Sequence, residues 1–321
     1  MVTWRSGQSI TSSHTHRGRL AERIGLVKDP LHNPLLLLIG TGAGLAMITP
    51  LGKLALEAGI NPFLWAGLIA LAPCLVLVWF VPKQHLPWTS PALWRFGFLG
   101  GLLANFIPST ILLFAIPHIG SGLAGLMFAL SPVVTATLSL LLKVRPPDKP
   151  LLVAVALGFV GAVIVVAGRN SLTLPSAPQW LLLALLVPLS LAIGNVYRTA
   201  KWPTGASPVQ IGVVVNSSVV PLFIALAFWY GGGLTPLLEH PGLVLAQWAA
   251  ALVNVALFFR LQWISGPTYL SQIGYVAAAI SLAIGTLALG ETYPWQVWVG
   301  AALILAGLAA SAWENFRPRP A

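Results

Sequence analysis

Two stretches of equal length decide the fold: GSGLAGLMFALSPVVTATLSLL at residues 120–141 and GPTYLSQIGYVAAAISLAIGTL at residues 266–287. They share a layout 146 positions apart, and the same offset continues without a gap as far as Gly161 and Gly307. The second copy begins five apolar segments after the first, with the ninth segment instead of the fourth. Because that number is odd, the second copy is predicted to enter a bilayer upside down relative to the first.

The composition leaves little room for anything besides membrane-spanning segments. Mean hydropathy is +0.86, and 57% of the 321 residues are hydrophobic while 7% are charged. A helix that crosses a membrane needs about 20 apolar residues. The chain is therefore predicted to be an all-α integral membrane protein with ten transmembrane helices, built as two inverted five-helix repeats. The ten segments are residues 35–58, 62–82, 92–115, 120–142, 150–168, 179–200, 208–230, 242–263, 267–289 and 294–313.

The repeat and the basic residues together predict the domain layout. We expect a disordered cytoplasmic tail at residues 1–33, a first repeat at 34–170, a second repeat at 171–315 and a cytoplasmic tail at 316–321. Fifteen of the 17 Lys and Arg residues fall on one side of this topology, which places both termini in the cytoplasm by the positive-inside rule. They form no continuous stripe, so no nucleic-acid partner is expected.

An inverted repeat of this kind is typical of membrane transporters, whose substrate site lies near the midplane where the halves meet. The chain also resembles the EamA family of the drug/metabolite transporter superfamily. The resemblance is carried by residues 289–291 (Leu-Gly-Glu), by the closing helix at 299–307, and by Ser131-Pro132 in the first copy. It implies a ten-helix bundle with a central cavity, which moves a small organic solute by alternating access across the inner membrane. Export of amino acids or related amphipathic solutes is likewise implied by the resemblance.

Polar residues inside the apolar segments are the candidates for substrate binding, because a polar side chain that faces lipid is costly. Gln272 and Tyr275 lie within one turn of the ninth helix, and Asn105 and Ser109 share a face of the third helix. Each pair is equally compatible with contacts that hold helices together. Further candidates are Asn195, which could line the inner mouth, and Asn254, which has the same alternative. Arg260 is also a candidate, and its alternative is an arginine that extends to the membrane interface beside Trp263. Arg198 is expected to extend to lipid headgroups, with anion binding as the minority interpretation.

Three residues of the first helix are candidates for gating. Lys53 and Glu57 are spaced for an ion pair within one helix near its outer end, and Pro50 is placed to kink that helix. Glu291 is expected to have a local structural role. Since no carboxylate falls at mid-membrane, a buried proton relay is not expected, and a proton site at the outer mouth stays open through Glu57 or Glu291.

Other classes of protein fit the sequence less well. The segment from His118 to Gly122 resembles a serine-protease motif, but every histidine lies in a tail, a loop or a span end, so no general base is expected near a buried serine. We therefore expect no enzyme, no cofactor and no metal. A lipid scramblase or a channel remains the alternative. The expected partners are a small-molecule substrate and membrane lipids, and a homodimer is left open.

Overall fold

The computed structural model describes residues 33–83, 86–141, 178–231 and 233–315, together with single positions between 153 and 164. The predicted tails, apart from residue 33, and most of the predicted fifth span lie outside the described residues. Within the described residues the chain is helical and contains no strand. The α-helices are α1 Pro34–Ala46, α2 Ile48–Glu57, α3 Pro62–Leu77, α4 Pro91–Gly101, α5 Ile107–Ile119, α6 Ser121–Leu126, α7 Ser131–Leu141, α8 Pro178–Ala184, α9 Leu186–Ala200, α10 Pro208–Ser217, α11 Val220–Tyr230, α12 Thr235–Glu239, α13 Pro241–Ser271, α14 Ile273–Leu287 and α15 Trp295–Asn315.

The lengths of these helices identify the chain as a multi-pass membrane protein. Within the described residues, six helical segments are long and apolar enough to cross a bilayer. They are Pro34–Glu57, Pro62–Phe80, Pro91–Ile119, Gln179–Ala200, Pro208–Tyr230 and Pro241–Ser265. Three shorter apolar helices also overlap predicted spans: Ser121–Thr135, Ile273–Leu287 and Trp295–Gly307.

Proline and a polar cap start corresponding helices in the two halves. Asn61 precedes Pro62, and its Oδ1 accepts hydrogen bonds from the backbone amides of the next turn at 2.9 and 3.1 Å. Ser207 precedes Pro208, 146 positions later, and its Oγ accepts one amide at 3.1 Å. Proline fits the first helical position because its missing N–H would have no partner there. Each cap adds about 1 kcal/mol of helix stability.

Helices α1 and α2 lie between α13 and α14, and their contacts fix the direction of both. Residues 40–44 run antiparallel to residues 254–257 of α13. Residues 42–53 run parallel to residues 276–291, which comprise most of α14 and the turn after it. Although helical structure continues to Ser271, the chain must therefore reverse between these two regions. The predicted separation of the eighth and ninth spans corresponds to this reversal.

Two pairs of helices that are far apart in sequence pack against each other in opposite directions. Residues 61–74 run antiparallel to residues 213–231. Residues 122–128 run antiparallel to residues 274–285. The second contact is very close, because a Cβ atom on Gly274 would lie 2.0 Å from the carbonyl oxygen of Phe128. Small residues let helices approach in this way where the hydrophobic effect does not drive them together.

Candidate functional site

A cavity of about 120 Å³ is lined by residues from both halves of the sequence, within residues 45–131 and 191–274. Its wall is mostly apolar, with Leu112, Phe128, Phe258 and Phe259 among the contributors. A dry cavity of about 150 Å³ can hold a molecule the size of benzene, so this space suits a solute of a few carbon atoms. The polar side chains of the wall come from both halves, and they are Asn105, Ser109, Ser131, Asn195, Arg198, Asn216, Asn254 and Ser271.

The first group of polar residues joins the third and seventh predicted spans. Asn105 lies in a π-helical turn, Leu102–Phe106, which breaks the regular register between α4 and α5. Its Nδ2 donates to Oδ1 of Asn216 at 2.7 Å, and Asn216 in turn donates to the carbonyl oxygen of Gly212 at 2.8 Å. Ser109 donates to Oδ1 of Asn105 at 3.4 Å. π-Helical turns of this kind are frequent at functional sites.

Arg198 is the charged residue of the cavity wall, and the expectation that it extends to lipid headgroups is wrong. Only 1% of its surface is exposed. Its Nη2 donates to Oδ1 of Asn195 at 2.6 Å, and its Nε donates to Oε1 of Gln262 at 3.3 Å. The guanidinium carbon also lies 5.2 and 5.8 Å from the ring centroids of Phe258 and Phe259. Cation–π contacts at these distances stabilise a cation in a water-poor site.

Neighbouring groups hold this arginine in place. The amide nitrogen of Gln262 donates to Oγ1 of Thr199 at 3.2 Å and to the carbonyl oxygen of Asn195 at 3.4 Å, so its oxygen faces the guanidinium. A Cβ atom on Gly100 would lie 3.3 Å from Cγ of Arg198. The absence of a side chain there leaves room for the arginine stem. The guanidinium therefore has little rotational freedom.

A second polar cluster closes one end of the bundle around Glu291. Lys53 donates to Oε1 of Glu291 at 2.8 Å, whereas Glu57 lies 3.9 Å from the same ammonium group. The carboxylate also accepts hydrogen bonds from the backbone amides of Ser121 and Gly122 at 2.9 and 3.0 Å. The predicted pair of Lys53 and Glu57 is therefore the weaker contact, and the stronger one connects residues 238 positions apart.

The ionisation of Glu291 follows from these contacts. Burial alone would raise its pKa, but hydrogen bonds from Lys53, Tyr293 and the two amides lower the pKa to about 2. Tyr293 donates its hydroxyl to the carboxylate, and burial together with that charge raises the pKa of the phenol. Glu291 is consequently a carboxylate in this conformation at any physiological pH.

The segment from His118 to Gly122 forms the turn that receives Glu291. Gly120 has a φ of +82°, a conformation that favours glycine, and it separates α5 from α6. Ser121 is buried and its Oγ donates to Oε1 of Glu291 at 2.9 Å. The ring of His118 stacks on Trp180 at 4.1 Å. This motif therefore binds a carboxylate, and its serine and histidine have different partners.

The structure brings together several of the predicted site residues. Asn105, Ser109, Asn195 and Asn254 all line the cavity. Gln272 and Tyr275 are buried beside it, and their chain neighbours Ser271, Ile273 and Gly274 contribute to its wall. Arg260 is half-buried one position beyond the wall residue Phe259, and Pro50 is buried in α2.

Arg198 and Asn216 were not predicted as cavity residues. The available signal for Arg198 was its spacing of three from Asn195, which places the two on one helix face.

Known proteins resemble this chain in fold and in part of its sequence. One protein of known structure, described only as "Crystal structure of protein", aligns over 87% of this chain and 98% of its own length. Its TM-score is 0.60 and its sequence identity is 18%, so this likeness shows the fold alone. No curated protein sequence matches the chain. Residues 33–167 match the EamA-like transporter family. The matched residues begin at α1 and include the Asn105 side of the cavity, so this part of the chain is similar to that transporter family.

Proposed function

We propose that this membrane transporter moves a small organic metabolite across the inner membrane by alternating access, with amino acids or related amphipathic compounds as its exported solutes. The observation that carries the proposal is the cavity between the two halves, whose polar groups come from both of them. Transporters built from repeats bind their solutes at such an interface. The family of residues 33–167 supports the same class of function.

We further infer that the two halves are inverted five-helix repeats within a bundle of ten transmembrane helices. The antiparallel contact between residues 61–74 and 213–231 supports this arrangement, since the two segments begin 146 positions apart in sequence after equivalent caps. The antiparallel contact between residues 122–128 and 274–285 supports it independently. Repeats related in this way can exchange conformations, which provides two states that open to opposite sides.

The cluster at Glu291 is the proposed outer gate, with Lys53 as its partner and Pro50 as the bend that lets α2 move. Apolar side chains border the gate, because Leu113 and Ile116 pack against Gly52 next to Lys53. With both termini in the cytoplasm, α1 and α2 run outward, and the ion pair lies at the outer face. The described conformation would then be closed to the outside.

Efflux from cells tests this function. Cells that overproduce the chain are loaded with radiolabelled amino acids, and the loss of label is followed beside cells without it. Asn216→Ala removes a cavity amide and leaves the Nδ2 group of Asn105 without its acceptor. The control is Ser217→Ala, which replaces the next polar side chain by alanine at a position outside the cavity wall.

We expect the wild-type chain to catalyse efflux. At equal amounts of folded protein in the membrane, Asn216→Ala should reduce the efflux rate severalfold and Ser217→Ala should leave it unchanged. Equal efflux from both variants would contradict the cavity as the route. No efflux of any solute would contradict export.

A further inference from the structure

We infer that Arg198 is the anion-binding residue of the cavity, and that the transported solute carries a carboxylate which this guanidinium holds. The inference rests on the proposed transport function and adds the chemical class of the solute to it. It starts from the placement of a buried cation in the cavity wall, with only 1% of its surface exposed.

Among the side chains that the structure describes, none supplies a negative charge next to the guanidinium of Arg198. No carboxylate of these described side chains lies within 4 Å of the guanidinium, whose hydrogen-bond partners are the neutral amides of Asn195 and Gln262. The carboxylates with described side chains, Glu57, Glu239 and Glu291, lie at helix ends or in turns. A buried charge is costly unless it is paired. An anionic solute would supply the missing countercharge.

The donors of Arg198 are also suited to a carboxylate. A guanidinium has five N–H donors in one plane, and the contacts with Asn195 and Gln262 use one on Nη2 and the one on Nε. The donors that remain are those of Nη1 and the second of Nη2. These donors are available to the oxygens of a carboxylate, the anion whose planar geometry the guanidinium matches. Since Gln262 and the two phenylalanine rings fix the plane, little entropy is lost when the solute binds.

The rest of the wall limits what else the solute can carry. The cavity volume of about 120 Å³ excludes large anions such as nucleotides, which also need several basic groups. Phe128, Phe258 and Leu112 offer apolar surface for a short hydrocarbon side chain. The expected solute is therefore a small monocarboxylate or an amino acid with an aliphatic side chain, bound with its carboxylate at Arg198.

Calorimetric titration of the full chain in lipid nanodiscs tests this assignment without a variant. Two pairs of probes are compared at neutral pH: 4-methylpentanoate with 4-methylpentanamide, and leucine with leucinamide. Within each pair the shape is nearly constant and the carboxylate is replaced by an amide. We expect each carboxylate to bind at least about tenfold more tightly than its amide, as the loss of a charge-assisted bidentate contact implies. Equal binding within both pairs, or no binding of either carboxylate, would overturn the assignment.

Three variants then assign the effect to the residue. Arg198→Gln is expected to abolish the preference for the carboxylate, and Arg198→Lys is expected to retain part of it, because lysine keeps the charge but not the planar donors. The control is Arg95→Gln, which removes an exposed charge at the same end of the bundle. A preference that survives Arg198→Gln in folded protein, or is lost equally in the control, would contradict the role of Arg198.

Liposome flux separates this inference from the proposed function. The flux of radiolabelled leucine and leucinamide is measured in proteoliposomes that contain the wild-type chain. Carboxylate-selective binding without any flux would keep the Arg198 site and contradict transport. Flux of the acid and the amide at equal rates would keep transport and contradict the Arg198 site.

Discussion

Substitution of Glu291 by glutamine tests the proposed outer gate. The side chain of Glu291 is 7% exposed, and it binds Lys53 at 2.8 Å as well as the first two amides of α6. Glutamine keeps the shape and one acceptor oxygen but loses the charge. The amide nitrogen that replaces the second oxygen would face either the ammonium group or a backbone N–H, both of which are donors. The variant therefore loses the ion pair and leaves at least one buried donor without an acceptor.

The size of the effect follows from the ionisation of the wild-type residue. The lowering of the pKa from 4.5 to about 2 corresponds to about 3 kcal/mol in favour of the charged form in this conformation. Breaking a buried ion pair costs about 3–5 kcal/mol, and an exposed pair contributes about 1 kcal/mol or less. We predict that Glu291→Gln destabilises the described conformation by about 3 kcal/mol.

Unfolding of the purified protein in detergent, followed by tryptophan fluorescence, measures this loss. Glu57→Gln is the matched control, since its carboxylate is 59% exposed and 3.9 Å from the same lysine; it should change stability by less than about 0.5 kcal/mol. The swapped variant Lys53→Glu/Glu291→Lys should not recover stability, because a lysine ammonium would then face the amides of Ser121 and Gly122. Equal effects of the two glutamine variants, or recovery by the swap, would refute this reasoning.

Three further predictions concern stability. Wild-type stability should fall as the pH is lowered from about 4.5 to about 2. Because the pKa of Glu291 is lower in the folded protein, its carboxylate contributes fully to the free energy of unfolding only above the unfolded pKa. A pH series of melting curves should show a smaller fall for Glu291→Gln. Gly274→Ala should lower the melting temperature sharply, since its Cβ atom would lie 2.0 Å from a backbone oxygen, whereas Gly242→Ala, with nothing within 4 Å, should leave it unchanged or raise it. Asn61→Ala should cost about 2–3 kcal/mol in the same unfolding assay, because it removes a helix cap and two hydrogen bonds to carbonyl oxygens at the end of α11; a loss below 1 kcal/mol would contradict this.

The apolar segments could be predicted from the sequence because span length and hydropathy depend on local composition. The face that carries Asn105 and Ser109 could also be predicted, since helical spacing determines which side chains lie together. The boundary between the eighth and ninth predicted spans was harder to predict from the sequence. Helical structure extends to Ser271, and only contacts with α1 and α2 reveal where the chain reverses.

The partners of charged residues could not be predicted, because they lie far away in sequence. Arg198 lies near the end of α9, and this position favoured a side chain that reaches lipid headgroups. The position of a residue along a helix does not show which other helix covers its side chain. The covering residue Gln262 lies 64 positions away. The spacing of Lys53 and Glu57 likewise favoured a pair within one helix. The lysine instead makes its shorter contact with Glu291, whose carboxylate accepts hydrogen bonds from four further donors.

Accessibility of the cavity from both sides of the membrane tests the central claim most directly. Cys74 is the single cysteine, so Ser109→Cys in a Cys74→Ala background places one thiol in the cavity wall with little change in shape. A membrane-impermeant thiol reagent is applied to right-side-out and to inside-out vesicles, with and without Glu291→Gln. Alternating access predicts labelling from both sides, with the outer-side rate increased by Glu291→Gln. Labelling from one side alone, at a rate that Glu291→Gln does not change, would contradict the account.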